Sequence, residues 1–118
     1  MSLHNQVINI LEQEKDFLIN LTLQIVKIPS VNPKLENNPE LNKEPEVQNV
    51  LEKVLTEEGF AINRWDVFEN RPNIVANKPG NEDRSLILCG HIDVVPVGDQ
   101  EAWSVDPFGG EIKNGKLL

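Results

Sequence analysis

His91 and Asp93 are the residues whose types and spacing could carry chemistry. They are two positions apart and directly follow Gly90, at the end of the apolar run 86–89. In extended backbone such residues point to the same side, roughly 6 to 7 Å apart. A neutral imidazole is a common ligand of Zn²⁺, and its second nitrogen needs an orienting carboxylate or carbonyl. The pair indicates a metal ligand, His91, with Asp93 as a second ligand or as the orienting group. The alternative is a hydrogen-bonded structural histidine.

The apolar run 86–89 predicts a strand buried on both faces, because polar turn residues bound it on either side. In open α/β sheets, ligands gather where such strands end. Gly90 lacks a side chain and would let backbone or ligand approach closely at that point. We therefore expect the functional site at this end of the strand.

Other candidate ligands are few, although a zinc site needs at least three protein ligands. His4 is expected to be solvated, and Asp99, Glu101 and Asp106 are expected to be surface charges in the loop after the strand. Cys89 is expected to be a buried structural thiol, because a nucleophilic thiolate needs an electropositive, partly exposed setting. By ligand count, these 118 residues alone do not complete a metal site.

Composition limits the class of protein. A chain of 118 residues suits one small domain. Its net charge of -8 argues against a nucleic-acid or anionic-membrane partner, since both need a basic face. A single cysteine excludes an internal disulfide and fits a reducing cytoplasm. We see no secretory signal and no apolar run long enough to span a membrane, so a cytoplasmic protein is expected.

The first half of the chain predicts two helices separated by a loop. Apolar spacing over residues 4–28 favours a helix, with a break or kink where charges interrupt it at 12–16. Residues 29–45, rich in proline and asparagine, predict a long loop that is either mobile or borders a site. A second helix is expected to begin at Pro45 and to stop at Gly59.

The second half predicts strands. Residues 60–67 and 73–77 are expected to form an antiparallel pair, and the strand at 86–89 follows. The order helix, helix, strand, strand, strand predicts an α/β fold with a mixed sheet and helices packed on it. A central strand needs cover on both faces, and two helices cover one. We therefore expect a part of a larger domain.

Several motifs together resemble one family. The residues that carry the resemblance are 88–98, Trp103, 106–108 and 113–117, with 28–32 and 71–76 as further similar stretches. From about residue 15 to its last residue the chain is similar to the zinc-dependent amidohydrolases and exopeptidases. These include acetylornithine deacetylase, succinyl-diaminopimelate desuccinylase, aminoacylase and the glutamate carboxypeptidases.

The resemblance implies a zinc-exopeptidase-like catalytic domain, interrupted by a smaller dimerisation domain, with two metal ions, Zn²⁺ or alternatively Co²⁺. His91 would bind one metal, and Asp93 would be the catalytic-site carboxylate that orients it. A metal-bridging water would attack the amide of an N-acyl amino acid, a related amine or a peptide. The family's remaining ligands and its general base would follow Leu118. Residues 1–118 would then be the N-terminal portion of the catalytic domain of a homodimeric enzyme, and inactive alone.

Three alternatives stay open from the sequence. The chain could be a non-catalytic interaction module that retains the first half of the fold. The parent enzyme could instead have dipeptidase or carboxypeptidase specificity. A metal-free hydrolase with Cys89 as its nucleophile is the third.

Overall fold

The computed structural model describes residues 1–81 and 83–118 and divides the chain into two compact units. One unit is Met1–Lys27 with Asp99–Leu118, and the other is Ile28–Gly98. The α/β class predicted from the sequence is confirmed. In chain order the elements are α1 (Leu3–Gln13), α2 (Lys15–Val26), α3 (Glu44–Glu57), β1 (Ala61–Phe68), β2 (Arg71–Asn77), a 3₁₀ turn (Gln100–Ala102), β3 (Ile112–Lys113) and β4 (Lys116–Leu117).

The first unit contains α1, α2 and the short antiparallel hairpin β3–β4. Ser2 caps α1, because its hydroxyl oxygen accepts a hydrogen bond from the Asn5 amide at 3.3 Å. Glu14 separates α1 from α2, so the break expected within residues 12–16 is confirmed. The 3₁₀ turn and the β3–β4 hairpin were not predicted. None of the described helices is long and apolar enough to cross a membrane.

The second unit is built on α3 and the β1–β2 hairpin, which are in contact. Proline occupies the first turn of α3, where its missing N–H is not needed, and Glu44 and Glu46 lie at the positive end of the helix dipole. Gly59 follows the helix with a φ of +81°, a conformation that costs glycine little. The predicted second helix and its stop are confirmed.

The antiparallel pairing of β1 with β2 is also confirmed. Glu69 and Asn70 form the turn, and Asn70 has a φ of +57°, which asparagine tolerates better than most residues. The register shifts between Asp66 and Phe68. The second strand begins at Arg71 rather than at residue 73 as predicted, and this brings Arg71 into the sheet.

The proline- and asparagine-rich loop is tied together by its own polar groups. Asn42 donates from its Nδ2 to the carbonyls of Val31 and Glu36, at 2.8 and 2.9 Å. Val31, in this loop, and Val47, in α3, are fully buried and form the centre of the unit's core. Residues 30–32 lie against residues 92–94, so the loop borders the candidate site, which was the second of its two expected roles.

The predicted buried strand at 86–89 is wrong. The structure shows no strand there, and Leu86, Ile87 and Leu88 are 82–87% exposed. Cys89 is exposed as well, so the expectation of a buried thiol is also wrong. The physical reason is the lack of a neighbour: a strand needs adjacent backbone to pair its N–H and C=O groups, and no described strand lies alongside this run.

Candidate functional site

The backbone around Asp93 is held in place by the loop that contains Ser30 and Asn32. Parallel pairing joins the Asn32 amide to the Val94 carbonyl and the Val94 amide to the Ser30 carbonyl, each at 3.0 Å. The Ser30 hydroxyl also donates to the Ile92 carbonyl at 2.6 Å. These three hydrogen bonds fix the backbone on both sides of Asp93, although its side chain could still rotate.

The Asp93 carboxylate is held by three side chains. Its Oδ2 accepts a hydrogen bond from Asn32 Nδ2 at 2.8 Å, and Arg71 Nη2 lies 3.8 Å from the same oxygen. Its Oδ1 lies 3.3 Å from His91 Nδ1. The side chain is 27% exposed, so these interactions are only partly screened by water. One carboxylate oxygen is thus occupied by Asn32 and Arg71, and the other is left for His91.

Arg71 is itself fixed by Glu44 at the start of α3. Arg71 Nε lies 3.1 Å from both carboxylate oxygens of Glu44, and its Nη2 lies 3.0 Å from Oε1. Glu44 is buried, at 6% exposure, and a charge buried to this extent needs such a partner. The forked contact holds the plane of the guanidinium group, which fixes the position of its positive charge near Asp93.

His91 is largely exposed, but one of its ring nitrogens is engaged. Nδ1 lies 2.9 Å from the Asp93 carbonyl oxygen and 3.3 Å from Asp93 Oδ1. Both neighbours are acceptors, so of the two neutral tautomers the one with its proton on Nδ1 is favoured. The lone pair is then on Nε2, and the side chain is 83% exposed. This is the tautomer in which a histidine can bind a metal through Nε2.

A pocket of about 250 Å³ borders these groups. Its polar lining consists of Glu44, Gln48, Arg71, Asn73, His91 and Asp93, and its apolar lining includes Val67, Phe68 and Ile92. Gln48 is buried and donates to the Pro72 carbonyl at 3.1 Å, so it is part of the pocket wall. The histidine therefore lies at a concave polar surface of the second unit.

The described residues supply one candidate metal ligand, His91, and not a complete metal centre. Within residues 1–81 and 83–118, no three His, Cys, Asp or Glu side chains come together in a way that could hold a metal ion. His91 fits the role of a metal ligand because acceptors engage its Nδ1, which favours a lone pair on Nε2. Asp93 fits the orienting role better than the ligand role, since both of its oxygens already have partners.

The other candidate ligands lie elsewhere or have local roles. His4 is exposed, as expected. Asp99 and Asp106 each accept a hydrogen bond from a main-chain amide two residues further on, at 3.0 and 2.9 Å. Glu101 is exposed in the 3₁₀ turn. The expectation that these carboxylates are surface charges fits their exposure.

Asn32, Arg71 and Glu44 were not predicted as site residues. Asn32 was assigned to a loop, Arg71 to a turn, and Glu44 to the favourable end of a helix. Asn32 and Arg71 do lie in stretches that resemble the family, at 28–32 and 71–76, and this was the one signal that could have found them. Glu44 carried no comparable signal, because its importance comes from its partner in another element.

The chain is similar to metallohydrolases over most of its length. It is 36% identical over 110 residues to N-formyl-4-amino-5-aminomethyl-2-methylpyrimidine deformylase of Bacillus subtilis, covering 91% of this chain and 24% of that protein. It is 42% identical over 102 residues to succinyl-diaminopimelate desuccinylase of Cereibacter sphaeroides, covering 84% and 24%. An uncharacterized metallohydrolase of Methanococcus maripaludis is 32% identical over 109 residues, covering 85% and 26%.

These relatives define a class of metal-dependent hydrolases. The chain belongs to the metallohydrolase family that contains these desuccinylases and deformylases, as its resemblance to that family predicted. It spans about a quarter of the length of the curated relatives that it matches. No protein-family model and no solved structure matches the chain.

Proposed function

We propose that the polypeptide containing this chain hydrolyses the amide bond of a small N-acyl compound with a metal-activated water. The relatives support this reaction class, since a desuccinylase and a deformylase both remove an acyl group from an amine. In this proposal His91 is a metal ligand and Asp93 is the carboxylate that orients it. Zn²⁺ is the proposed metal, with Co²⁺ as an alternative.

The orientation of His91 is the observation that carries the proposal. Its Nδ1 has acceptors at 2.9 and 3.3 Å, while the ring is otherwise exposed at the edge of a polar pocket. A structural histidine would be expected to engage both nitrogens with protein groups when buried. Here Nδ1 is engaged by protein, and the exposure of the ring leaves it accessible to a metal ion.

Each residue of the site has a separate task. A bound metal would supply Lewis acidity toward the amide carbonyl and a nucleophilic water. The Asp93 main-chain carbonyl accepts the Nδ1 proton at 2.9 Å, and the Asp93 carboxylate lies 3.3 Å from the same nitrogen. Together they hold the ring in one tautomer and make Nε2 a better electron donor. Asp93 keeps that orientation because Asn32 and Arg71 occupy its other oxygen.

The first test is the substitution His91→Ala in the longest polypeptide that contains this chain. We expect amide hydrolysis to fall by about 100-fold or more, since even outer-shell partners of a metal ligand contribute roughly 10- to 100-fold. Suitable substrates are an N-succinyl amine, an N-formyl amine, an N-acetyl amino acid and a dipeptide. His4→Ala is the matched control and should leave the rate unchanged. Full activity of the His91→Ala variant would overturn the proposal.

Residues 1–118 alone are proposed to be inactive. The reason is the donor set: the described residues offer His91 and no group of three ligands. The measurement is amide hydrolysis by the purified 118-residue chain with added Zn²⁺ or Co²⁺, against the same four substrates. Turnover that is absent from the His91→Ala chain would contradict this proposal.

The same assays separate the other candidates. Activity that survives chelation but not thiol alkylation would favour Cys89 as a nucleophile. Its exposure permits this, although no hydrogen bond or ion pair engages it within the described part of the chain. Absence of hydrolysis in every polypeptide that contains the chain would favour an interaction module. Hydrolysis of the dipeptide alone would favour peptidase specificity. The homodimer and the cytoplasmic location stay predictions.

A further inference from the structure

We infer that Asn32 is a positioning residue, which together with the Glu44–Arg71 ion pair locks the Asp93 carboxylate in the rotamer that orients His91. The inference rests on the proposed role of His91 as a metal ligand. It assigns function to residues on three separate elements: the loop before α3, the first turn of α3 and the first residue of β2.

The Asp93 carboxylate has rotational freedom that the fixed backbone does not remove. Backbone pairing fixes the main chain at Asp93, but its side chain could still rotate or exchange the roles of its two oxygens. A hydrogen bond of 2.8 Å from Asn32 Nδ2 singles out Oδ2. Only Oδ1 then remains for His91 Nδ1, at 3.3 Å.

The charge of Arg71 acts on the same oxygen. Arg71 Nη2 lies 3.8 Å from Oδ2, which is long for a hydrogen bond but close enough for a charge interaction in a partly buried site. Arg71 cannot swing further toward Asp93, because Glu44 holds its Nε and Nη2 at 3.0–3.1 Å. The ion pair therefore sets a fixed positive charge behind Asp93 without taking over its carboxylate.

Asn32 is itself held from its other side. Its Oδ1 accepts a hydrogen bond from the Lys34 amide at 2.9 Å, so the two ends of the amide group cannot exchange places without losing both interactions. Nδ2 is thereby directed at Asp93. An aspartate at this position could keep the turn with Lys34 but could not donate to Asp93.

Two substitutions with the same charge change separate the donor to Asp93 from the turn that asparagine forms in this loop. Asn32→Asp keeps the acceptor for Lys34, removes the donor to Asp93 and adds a like charge beside it. Asn38→Asp is the matched control: Asn38 Oδ1 accepts from the Glu40 amide at 3.1 Å in the same loop, and the charge change is identical. Asn32→Ala serves as a second variant that removes the donor without adding charge.

The readout is the tautomer of His91 by ¹⁵N NMR of the labelled 118-residue chain. The spectra are recorded at about pH 9. His4, the second of the two histidines, is an internal reference. Wild-type His91 is expected to carry its proton mainly on Nδ1. In Asn32→Asp and Asn32→Ala the ratio of the Nε2–H to the Nδ1–H form should rise about threefold or more, because Oδ1 is no longer held 3.3 Å from Nδ1 and only the Asp93 carbonyl remains as a fixed acceptor. Asn38→Asp should match the wild type.

A double-mutant cycle tests whether Asn32 acts through Asp93. Once Asp93→Ala has removed the carboxylate, Asn32→Ala should change the tautomer ratio no further. In the longest polypeptide, Asn32→Ala should lower kcat about tenfold and leave KM unchanged. Thermal unfolding of each variant identifies any loss of folding.

Two results would overturn the inference: a wild-type His91 with its proton on Nε2, or a folded Asn32→Ala variant with the wild-type ratio and kcat. The second result would leave the proposed function standing, because the activity of the His91→Ala variant tests that function separately.

Discussion

Residues 86–88 and residues 92–94 are near neighbours in sequence, yet the first segment is exposed and the second is hydrogen-bonded to a distant part of the chain. The first segment, Leu86-Ile87-Leu88, is the more apolar of the two and is 82–87% exposed. The second contains a charged residue, and its backbone is hydrogen-bonded to residues 30–32. Hydropathy expresses a tendency to be buried, but an available partner decides whether burial occurs. Residues 92–94 have such a partner within the second unit.

The largest expected effect concerns the ion pair between Arg71 and Glu44, which lies next to residues 92–94. Arg71→Met should lower the free energy of unfolding by about 3 kcal/mol, because it leaves Glu44 buried without its partner. Arg64→Met is the control, since Arg64 pairs with Glu52 at 2.8 Å on the more exposed face of the same helix and should cost about 1 kcal/mol or less. Urea unfolding followed by circular dichroism measures both. Equal losses would contradict the expectation that the more buried ion pair costs more to break.

Amide hydrogen exchange compares the two segments directly. The Val94 amide donates to the Ser30 carbonyl at 3.0 Å and should exchange more slowly than the exposed Ile87 amide, by about tenfold or more after correction for intrinsic rates. NMR on the unmodified chain provides the measurement. Equal protection at the two amides would contradict the expected difference between residues 92–94, which are hydrogen-bonded to the loop, and residues 86–88, which are exposed.

A smaller effect is expected for the hydroxyl that ties Ser30 to Ile92. Ser30→Ala removes a buried hydrogen bond of 2.6 Å and should cost about 1 kcal/mol. Thr56→Ala is its counterpart, because it removes a 2.7 Å bond to a carbonyl on an exposed helix surface, where alanine is the better helix former. Thermal unfolding should therefore separate the two variants. A loss at Thr56 that matches the loss at Ser30 would argue against a special role for the tie.

The smallest effect on stability is expected in the exposed segment, residues 86–88. Ile87→Ser should change the free energy of unfolding of the 118-residue chain by less than about 0.5 kcal/mol, because the side chain is exposed. A buried strand, as the apolar pattern predicted, would give a loss of about 2 kcal/mol or more. The same unfolding experiment decides between these values. A large loss would mean that the segment is covered in solution.

Local signals predicted most of the fold. The proline in the first turn and Gly59 after the last define α3, and the residues around the turn at Glu69 and Asn70 define the hairpin. These elements depend on neighbours in sequence. The strand at 86–89 was mispredicted because a strand depends on backbone that is distant in sequence, and an apolar run says nothing about whether that backbone is present.

The residues of the candidate site also fall into two groups, those that local spacing indicated and those that only the fold brings together. The spacing of His91 and Asp93 indicated a ligand and its orienting group, and the structure places the two in contact. The residues that hold Asp93 come from the loop, from β2 and from α3, and only the fold brings them together. No spacing rule connects residue 32 with residue 93, so the resemblance of residues 28–32 to the family was the one sequence signal for Asn32, and its contact with Asp93 appears only in the fold.

The tie between Ser30 and Ile92 also determines when the site can form during folding. The two residues are 62 positions apart, so their hydrogen bond closes a long loop and must offset the entropy lost in doing so. The α3 helix and the β1–β2 hairpin close much shorter loops and can form earlier. We therefore expect the histidine to acquire its orientation late in folding, after residues 92–94 have paired with residues 30–32.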